Sequence, residues 1–319
     1  MYYPFFYGKQ FELLAIREFS TLVSPKRIFP IIEPVKNNFK SLEAACLALQ
    51  KKEFQFIVIV NPSCGELIGS SEHIDAFLNE TKCFNGCCHK GFLVTQDTTV
   101  EQIQSITRNW GEGYYLIHDA LSNNFSDILA FIRSDKEKIA GHVFYRNNIP
   151  DIKIKSIKDI DKQKAFVCLQ DGFIKRKNAD YPLQEFFTDQ HLLYKDQSFS
   201  GFSDYLIVGR EYSETGGPAF AVAIHLTFID EKDDKIMKIF HFKSDSSATY
   251  RNPAGKFSEA LTKMISTIDN SPENLIMNSS AIQDYRRLKI EGHYPGLGAL
   301  KKLSMIHHIQ TLDDFLKKQ

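Results

Sequence analysis

Several strand-like runs in this chain end on residues that can move protons or grip a charged ligand. In "IFPIIEPVK" (residues 28–36) apolar residues lead to Glu33, and "FIVIVNP" (residues 56–62) ends on Asn61 before a proline. A carboxylate set straight after apolar strand residues must be solvated or paired, and Lys9 and Lys36 are the cations offered as partners. The tips of other runs carry Gln96, His118, Asp119, Arg146 and Asp171. Acids, bases and amides drawn from different strands are what general acid–base chemistry, or the holding of a polar ligand, requires. The expected roles are Glu33, Asp119 and Asp171 as acid–base groups, with Lys9, Lys36, Asn61 and Arg146 holding a small anionic ligand. The plain alternative is that strand ends turn polar because loops meet water. His118 and Asp119 are strand neighbours that point to opposite sides, so no dyad between them is expected.

Other clusters carry weaker chemistry. "CFNGCCHK" offers Cys83, Cys87, Cys88 and His89, but zinc takes about four ligands and no second Cys/His pair stands at a recognised spacing. A loop of reduced thiols, with no metal, is the expectation. In "IHHI" (residues 306–309) the two histidines diverge by about 100° around a helix, which suits a helix surface better than a metal site. "ADYPLQEFFTDQHLLY" gathers Asp180, Glu185, Asp189 and His191; a helix there sets Glu185 and Asp189 on one face, as an acid–base cluster or as a solvated turn. Gly216-Gly217-Pro218 lets backbone approach an anion, or simply makes a tight entry to a strand.

The elements that must position these residues repeat one pattern: a short apolar run, a polar tip, then apolar residues at helical spacing. "YYPFFYG" precedes a helix with Phe11, Leu14, Ala15 and Leu22 on one face. "RIFPIIEPV" precedes Leu42, Ala45, Cys46 and Leu49 at i, i+3, i+4 and i+7. "FIVIVNP", "GFLVTQ", "YYLIHDA", "IAGHVFY" and "KAFVCLQDGF" continue the series, with Val100, Ile103, Ile106 and Trp110 on one intervening helix and Phe125, Ile128, Leu129 and Ile132 on the next. Near-continuous apolar strands separated by crossover helices imply parallel strands covered on both faces. The expected fold class is therefore α/β, a (β/α) barrel of TIM type whose polar tips share one rim. From residue 175 to 250 an aromatic insertion breaks the period and then gives a β-hairpin around "EKDD". Helices follow from 253 to 319, the last with Thr311 and Asp314 in a capping arrangement. The whole reads as one barrel-like domain, 1–319, with these elaborations.

Composition narrows the function. Lys+Arg and Asp+Glu both number 39, so no bulk charge steers the chain to nucleic acid, and the local "KRK" at 175–177 is a solvated cluster. No apolar run approaches the roughly 18 residues of a spanning helix, and the start lacks a basic signal region, so a cytoplasmic protein without membrane contact is expected. Its six cysteines are then free thiols. No G-x-G-x-x-G or G-x-x-x-x-G-K-[ST] loop names a cofactor.

The stretches "MYYPFFYGKQFELLAIREF", "IFPIIEPVK", "ADYPLQEFFTDQHLLY", "GFSDYLIVGREYSETGGPAFAVAIHLTF" and "IFHFKSD" together resemble the Beta-protein family of bacteria and phages, and more narrowly its Sorangium-type bacterial subgroup. The resemblance runs through most of the chain. It implies a barrel-like α/β fold and a gene context of mobile elements and phage defence beside a small nuclease-like protein, a partner in prospect. No catalytic residue is transferred by it. Two functions are carried forward: an intracellular barrel enzyme, hydrolytic or nucleotide-directed, acting against phage, and a non-enzymatic scaffold or sensor for a partner protein, with residues 180–220 as contact surface.

Overall fold

A computed structural model of the chain describes residues 1–81, 86–111, 113–214, 220–271, 275–276 and 279–319. It packs as two compact units, the first formed by residues 1–9, 24–170 and 193–204, the second by residues 10–23, 171–192 and 205–319. In chain order the strands are β1 (Tyr2–Tyr7), β2 (Ile31–Glu33), β3 (Phe56–Ile59), β4 (Cys88–Val94), β5 (Tyr114–His118), β6 (Ile139–Tyr145), β7 (Ala165–Leu169), β8 (Gln184–Thr188), β9 (Gly201–Asp204), β10 (Ala223–Asp230), β11 (Met237–Lys243) and β12 (Leu275–Ile276). The helices are α1 (Gln10–Phe19), α2 (Lys40–Lys51), α3 (Ser71–Glu80), α4 (Val100–Thr107), α5 (Phe125–Asp135), α6 (Asp151–Lys158), α7 (Gln190–Leu193), α8 (Pro253–Asp269), α9 (Ser280–Glu291) and α10 (Leu297–Lys317).

In the first unit β1 to β7 and β9 form a closed barrel of the expected TIM type. Every neighbouring pair is parallel, including the pair that closes it, β1 with β9, where Tyr2 lies opposite Phe202 and Pro4 opposite Asp204. Both faces of such strands are covered, which is why they read as unbroken apolar runs. The closing strand Gly201–Asp204 lies inside the stretch that sequence alone treats as aperiodic, and four residues are too few to display a period. Its seal is partly polar: the Tyr2 phenol, fully buried, donates to Asp204 Oδ1 at 2.6 Å.

Alternation along the strands decides what fills the lumen. The rings of Tyr3, Phe29, His89 and Tyr115 touch one another although they come from strands that are not all neighbours, which only inward-pointing side chains can do. Gly141 makes room for this layer, since a Cβ there falls 2.7 Å from the Tyr115 ring. Two residues further along each strand the same face carries Phe5, Ile31 and Ile117, and two further again Tyr7, Glu33 and Asp119. The helix stripe Leu42, Ala45, Cys46 and Leu49 is buried as its spacing predicts.

The second unit holds an antiparallel sheet of order β12-β10-β11-β8, with the expected hairpin between β10 and β11. Helix α10 packs on β10 and on α1, and α8 packs on β10 and β11. Here several sequence expectations change. The buried residues of α1 are Glu12, Leu13, Ala15, Ile16 and Phe19, whereas Leu22 falls beyond the helix and is 39% exposed. Residues 184–188 form a strand, so Glu185 and Asp189 do not share a helix face. Thr311 lies inside α10 and donates to the His307 carbonyl, not at a cap. His307 and His308 are fully buried: His307 pairs with Ser279 Oγ and the Thr227 carbonyl, His308 with Thr227 Oγ1. A helix between a sheet and other helices has more than one covered face, so divergent histidines are both enclosed.

Tyr2→Phe is expected to cost roughly 1–2 kcal/mol, seen as a lower urea midpoint, while Tyr250→Phe, 58% exposed, leaves the midpoint unchanged.

Candidate active site at the barrel mouth

Glu33 is the last residue of β2, and its parity with Phe29 and Ile31 turns it into the barrel at the carboxyl end of the strands. It is only 2% exposed. Its hydrogen bonds go neither to Lys9 nor to Lys36. Oε1 instead accepts from the Ser63 backbone N–H at 2.6 Å, the Ser63 hydroxyl at 2.9 Å and the Cys64 thiol at 3.6 Å. The loop after β3 delivers these donors because it folds down onto the exit of β2. The Glu66 N–H bonds to the Val35 carbonyl, and Gly65 sits at φ +82° where a Cβ would lie 2.5 Å from that same oxygen. Only glycine takes this backbone conformation without strain and leaves the space empty.

Burial raises the Glu33 carboxyl above its ordinary value; the Ser63 and Cys64 hydrogen bonds oppose the rise, and the nearby charge of Asp119 adds to it. Asp119 follows β5 with the inward parity of Tyr115 and Ile117, and its backbone N–H extends the ladder to the Val94 carbonyl. Lys9 holds its ammonium 5.9 Å from the centre of the Tyr7 ring. Glu33, Asp119 and the Tyr7–Lys9 tip of β1 thus carry polar chemistry on lumen-facing positions.

The other expected site residues are engaged elsewhere. Asn61 clamps the backbone of the next strand, its amide donating to the Leu93 carbonyl at 2.9 Å and accepting from the Leu93 N–H at 2.7 Å. Lys36 makes a half-exposed ion pair with Glu66 at 2.8 Å, the kind of contact that contributes little stability. Arg146 bonds Asp151 at 3.1 and 3.2 Å and Gln197 at 2.6 Å. Asp171 belongs to the second unit, where it accepts from the N–H groups of Phe173 and Arg210. Gln96 is exposed. His118 turns away from the Asp119 direction and meets His142 at 3.0 Å, His142 lining a crevice with Ile132 of α5 and Ile157 of α6.

Sequence reasoning missed Ser63 and Cys64 as partners of Glu33. The signal was Gly65: a glycine three residues past a strand-ending proline marks a turn able to bring donors back over the neighbouring strand. Of the thiol cluster, Cys83 lies outside the described residues, as do Gly216, Gly217 and Pro218; Cys46, Cys64, Cys87, Cys88 and Cys168 are not in disulfides. Among the described residues no group of three or more His, Cys, Asp or Glu side chains is placed to hold a metal, and no helix is long and apolar enough to cross a membrane.

Chemically, the site sets a hydroxyl and a thiol against one oxygen of a carboxyl whose proton affinity is raised, the relation of a nucleophile to its base. No family model, no curated protein and no solved structure matches this chain.

Two pH effects follow. Burial lowers His118 to about 3, and His241 and His307 to about 4, from 6.5. The unfolded chain therefore takes up protons first, and stability falls as pH drops from about 6.5 to about 4, by up to about 1.4 kcal/mol per pH unit for each histidine; denaturant midpoints between pH 7 and 4 measure it. Glu33 has the opposite sign, because a raised carboxyl favours the fold below its unfolded pKa and loses that contribution as pH rises. Glu33→Gln is expected to raise Tm at pH 8 and to leave it unchanged below the carboxylate range.

Proposed function

We propose that the barrel mouth is a hydrolytic active site in which Glu33 is the general base. The single observation that carries this reading is the 2%-exposed carboxyl with the Ser63 hydroxyl and Cys64 thiol both directed at Oε1. Glu33 takes the proton of the attacking group and returns it to the leaving group, while burial, with a smaller addition from the charge of Asp119, keeps the proton affinity of Glu33 high and the Lys9 cation at the tip of β1 attracts an anionic substrate. The cellular setting proposed is the cytoplasm, in defence against phage, as the resemblance to the Beta-protein family implies. In a host challenged with phage, Glu33→Gln is expected to abolish protection while the protein stays folded. In vitro, a panel of p-nitrophenyl esters and phosphate esters tests the chemistry: Glu33→Gln is expected to lower turnover by about a hundredfold or more, with Ser63→Ala and Cys64→Ala separating the two candidate nucleophiles. Full protection and full turnover by Glu33→Gln would discard the proposal.

A second reading, a scaffold for a partner protein, is favoured by one observation. Leu183, Phe186, Phe220 and Tyr250, all in the insertion and hairpin region, and Ile174 just before it, are more than half exposed, and Phe186 lies on the edge strand β8. An exposed apolar edge strand is where a second chain adds. The partner proposed is the nuclease-like protein that the resemblance places beside the gene. Co-expression of the two should give a complex that Leu183→Asp with Phe186→Asp dissolves; two proteins that elute separately would reject it.

A further inference from the structure

The amino-terminal end of the barrel, opposite the mouth, holds an ionisable ring between two fixed neighbours. His89 of β4, from the thiol-rich stretch "CFNGCCHK", belongs to the lumen layer of Tyr3, Phe29 and Tyr115, and the rings of Phe29 and Tyr115 lie 5.6 and 5.4 Å from its own. Its Nδ1 meets the carbonyl of Gly113, just before β5, at 2.5 Å, and its Nε2 meets Oε1 of Gln55, just before β3, at 2.9 Å. The Gln55 amide is engaged in turn, its Nε2 donating to the Gly86 carbonyl at 3.1 Å. One residue further on, the Phe56 N–H donates to the Cys87 carbonyl, so the side-chain bond adds a rung to the β3–β4 ladder.

These contacts ask for one proton more than a neutral imidazole has. A backbone carbonyl only accepts, and at 2.5 Å it cannot face a lone pair, so Nδ1 carries a proton whatever the charge of the ring. Gly86 fixes the Gln55 amide by the same rule. With the amide nitrogen on that carbonyl, the amide oxygen is what faces His89 Nε2, and this contact is a hydrogen bond only when Nε2 is protonated as well. A neutral His89 has a bare Nε2, which finds a donor only if the Gln55 amide turns over. The amide oxygen then meets the Gly86 carbonyl, and that rung is lost. The two charge states of the ring therefore select two orientations of the amide.

We propose that His89 and Gln55 form a proton-operated latch at the foot of the barrel: protonated His89 holds the Gln55 oxygen and with it the Gly86 rung, whereas neutral His89 takes the amide nitrogen and releases Gly86. The groups that face the ring carry no charge of their own. The phenols of Tyr3 on β1 and Tyr115 on β5 keep their protons, Tyr115 being pushed up to about 12 by burial, and burial also raises the thiol of Cys88 beside it on β4. Phe29 and Gln55 do not titrate, and Lys90, next in the chain, is bound to Asp75 at 2.7 Å. Burial lowers His89 below the ordinary imidazole value, and the Gly113 bond opposes the fall. The latch is therefore open at neutral pH and closes in acid. A ring lowered by the fold takes its proton later than the unfolded chain does, so acid destabilises the protein through His89 too, and closure limits that loss without reversing its sign. The latch shares no residue with the barrel mouth, and its test shares no variant with that reading.

The test is NMR of the full chain, labelled at histidine and glutamine side chains and at glycine carbonyls, titrated from neutral to acid pH. His89 Nδ1 should stay protonated throughout, Nε2 should gain its proton at the midpoint, and the Gln55 amide and Gly86 carbonyl signals should follow the same curve. These readouts need no variant. Gln55→Leu, which takes the oxygen away, should lower the His89 midpoint by about one pH unit, and Gln55→Glu should raise it by a similar amount. In His89→Phe the Gln55 signals should no longer depend on pH. A neutral His89 that keeps its proton on Nε2, a Gln55 amide that does not respond as His89 titrates, or an unchanged midpoint in a folded Gln55→Leu variant overturns the proposal.

Discussion

The hydrogen bonding of β1 to β9 is the contact from which the functional geometry of the first unit derives. It joins a strand at residues 2–7 to one at residues 201–204 and turns a curved parallel sheet into a closed ring. Once closed, all strands point their carboxyl ends to the same rim, and alternation alone decides which side chains enter the lumen. Glu33 and Asp119 come into electrostatic reach although 85 residues of chain lie between them, because β2 and β5 share one interior. Burial, with the charge of Asp119 as a smaller addition, gives the Glu33 carboxyl its raised proton affinity against the opposing Ser63 and Cys64 hydrogen bonds. Without closure the same residues would be ordinary solvated strand ends.

The two polar constellations of the chain, one in each unit, use a common device in opposite senses. At the barrel mouth a carboxyl is buried without a cation bonded to it, so its proton affinity goes up and it suits proton exchange. In the second unit the Glu185 carboxyl is gripped by Arg176, its proton affinity goes down, and it meets the buried His241 ring at 3.0 Å. The half-exposed Lys36–Glu66 pair, by comparison, is a contact between groups that water screens. Burial and the identity of the nearest partner, rather than the residue type alone, separate groups that can do chemistry from groups that merely hold the surface.

The barrel was legible because its strands are covered on both sides and its helices on one, so apolar runs and helical stripes alternate in the text itself. Leu42, Ala45, Cys46 and Leu49 are the clearest case. Inward placement of Glu33 and Asp119 was legible too, in Phe29-x-Ile31-x-Glu33 and Tyr115-x-Ile117-x-Asp119. The partners of these groups were not. Ser63 and Cys64 reach Glu33 through a left-handed turn at Gly65, and no period encodes which strand a loop folds back onto. Asn61, Arg146 and Asp171 look the same at a strand tip whether they face a ligand, clamp nearby backbone, as Asn61 and Asp171 do, or bond other side chains, as Arg146 does. The four-residue β9 was hidden by its shortness, and the Glu185–His241 contact by the pairing of β11 with β8, 56 residues apart in sequence.

The chain crosses between its two units repeatedly, and α1 leaves the barrel's first strand to pack beside α10 at the other end of the sequence. On a ribosome this imposes an order. Helix α1 is made early, yet α10, on which it packs, emerges only with residues 297–317, and the barrel lacks its closing strand until residues 201–204 are out. Vectorial synthesis thus delays both contacts, and pairings so distant in sequence are the kind that fold slowly and leave apolar surface open to aggregation in the meantime.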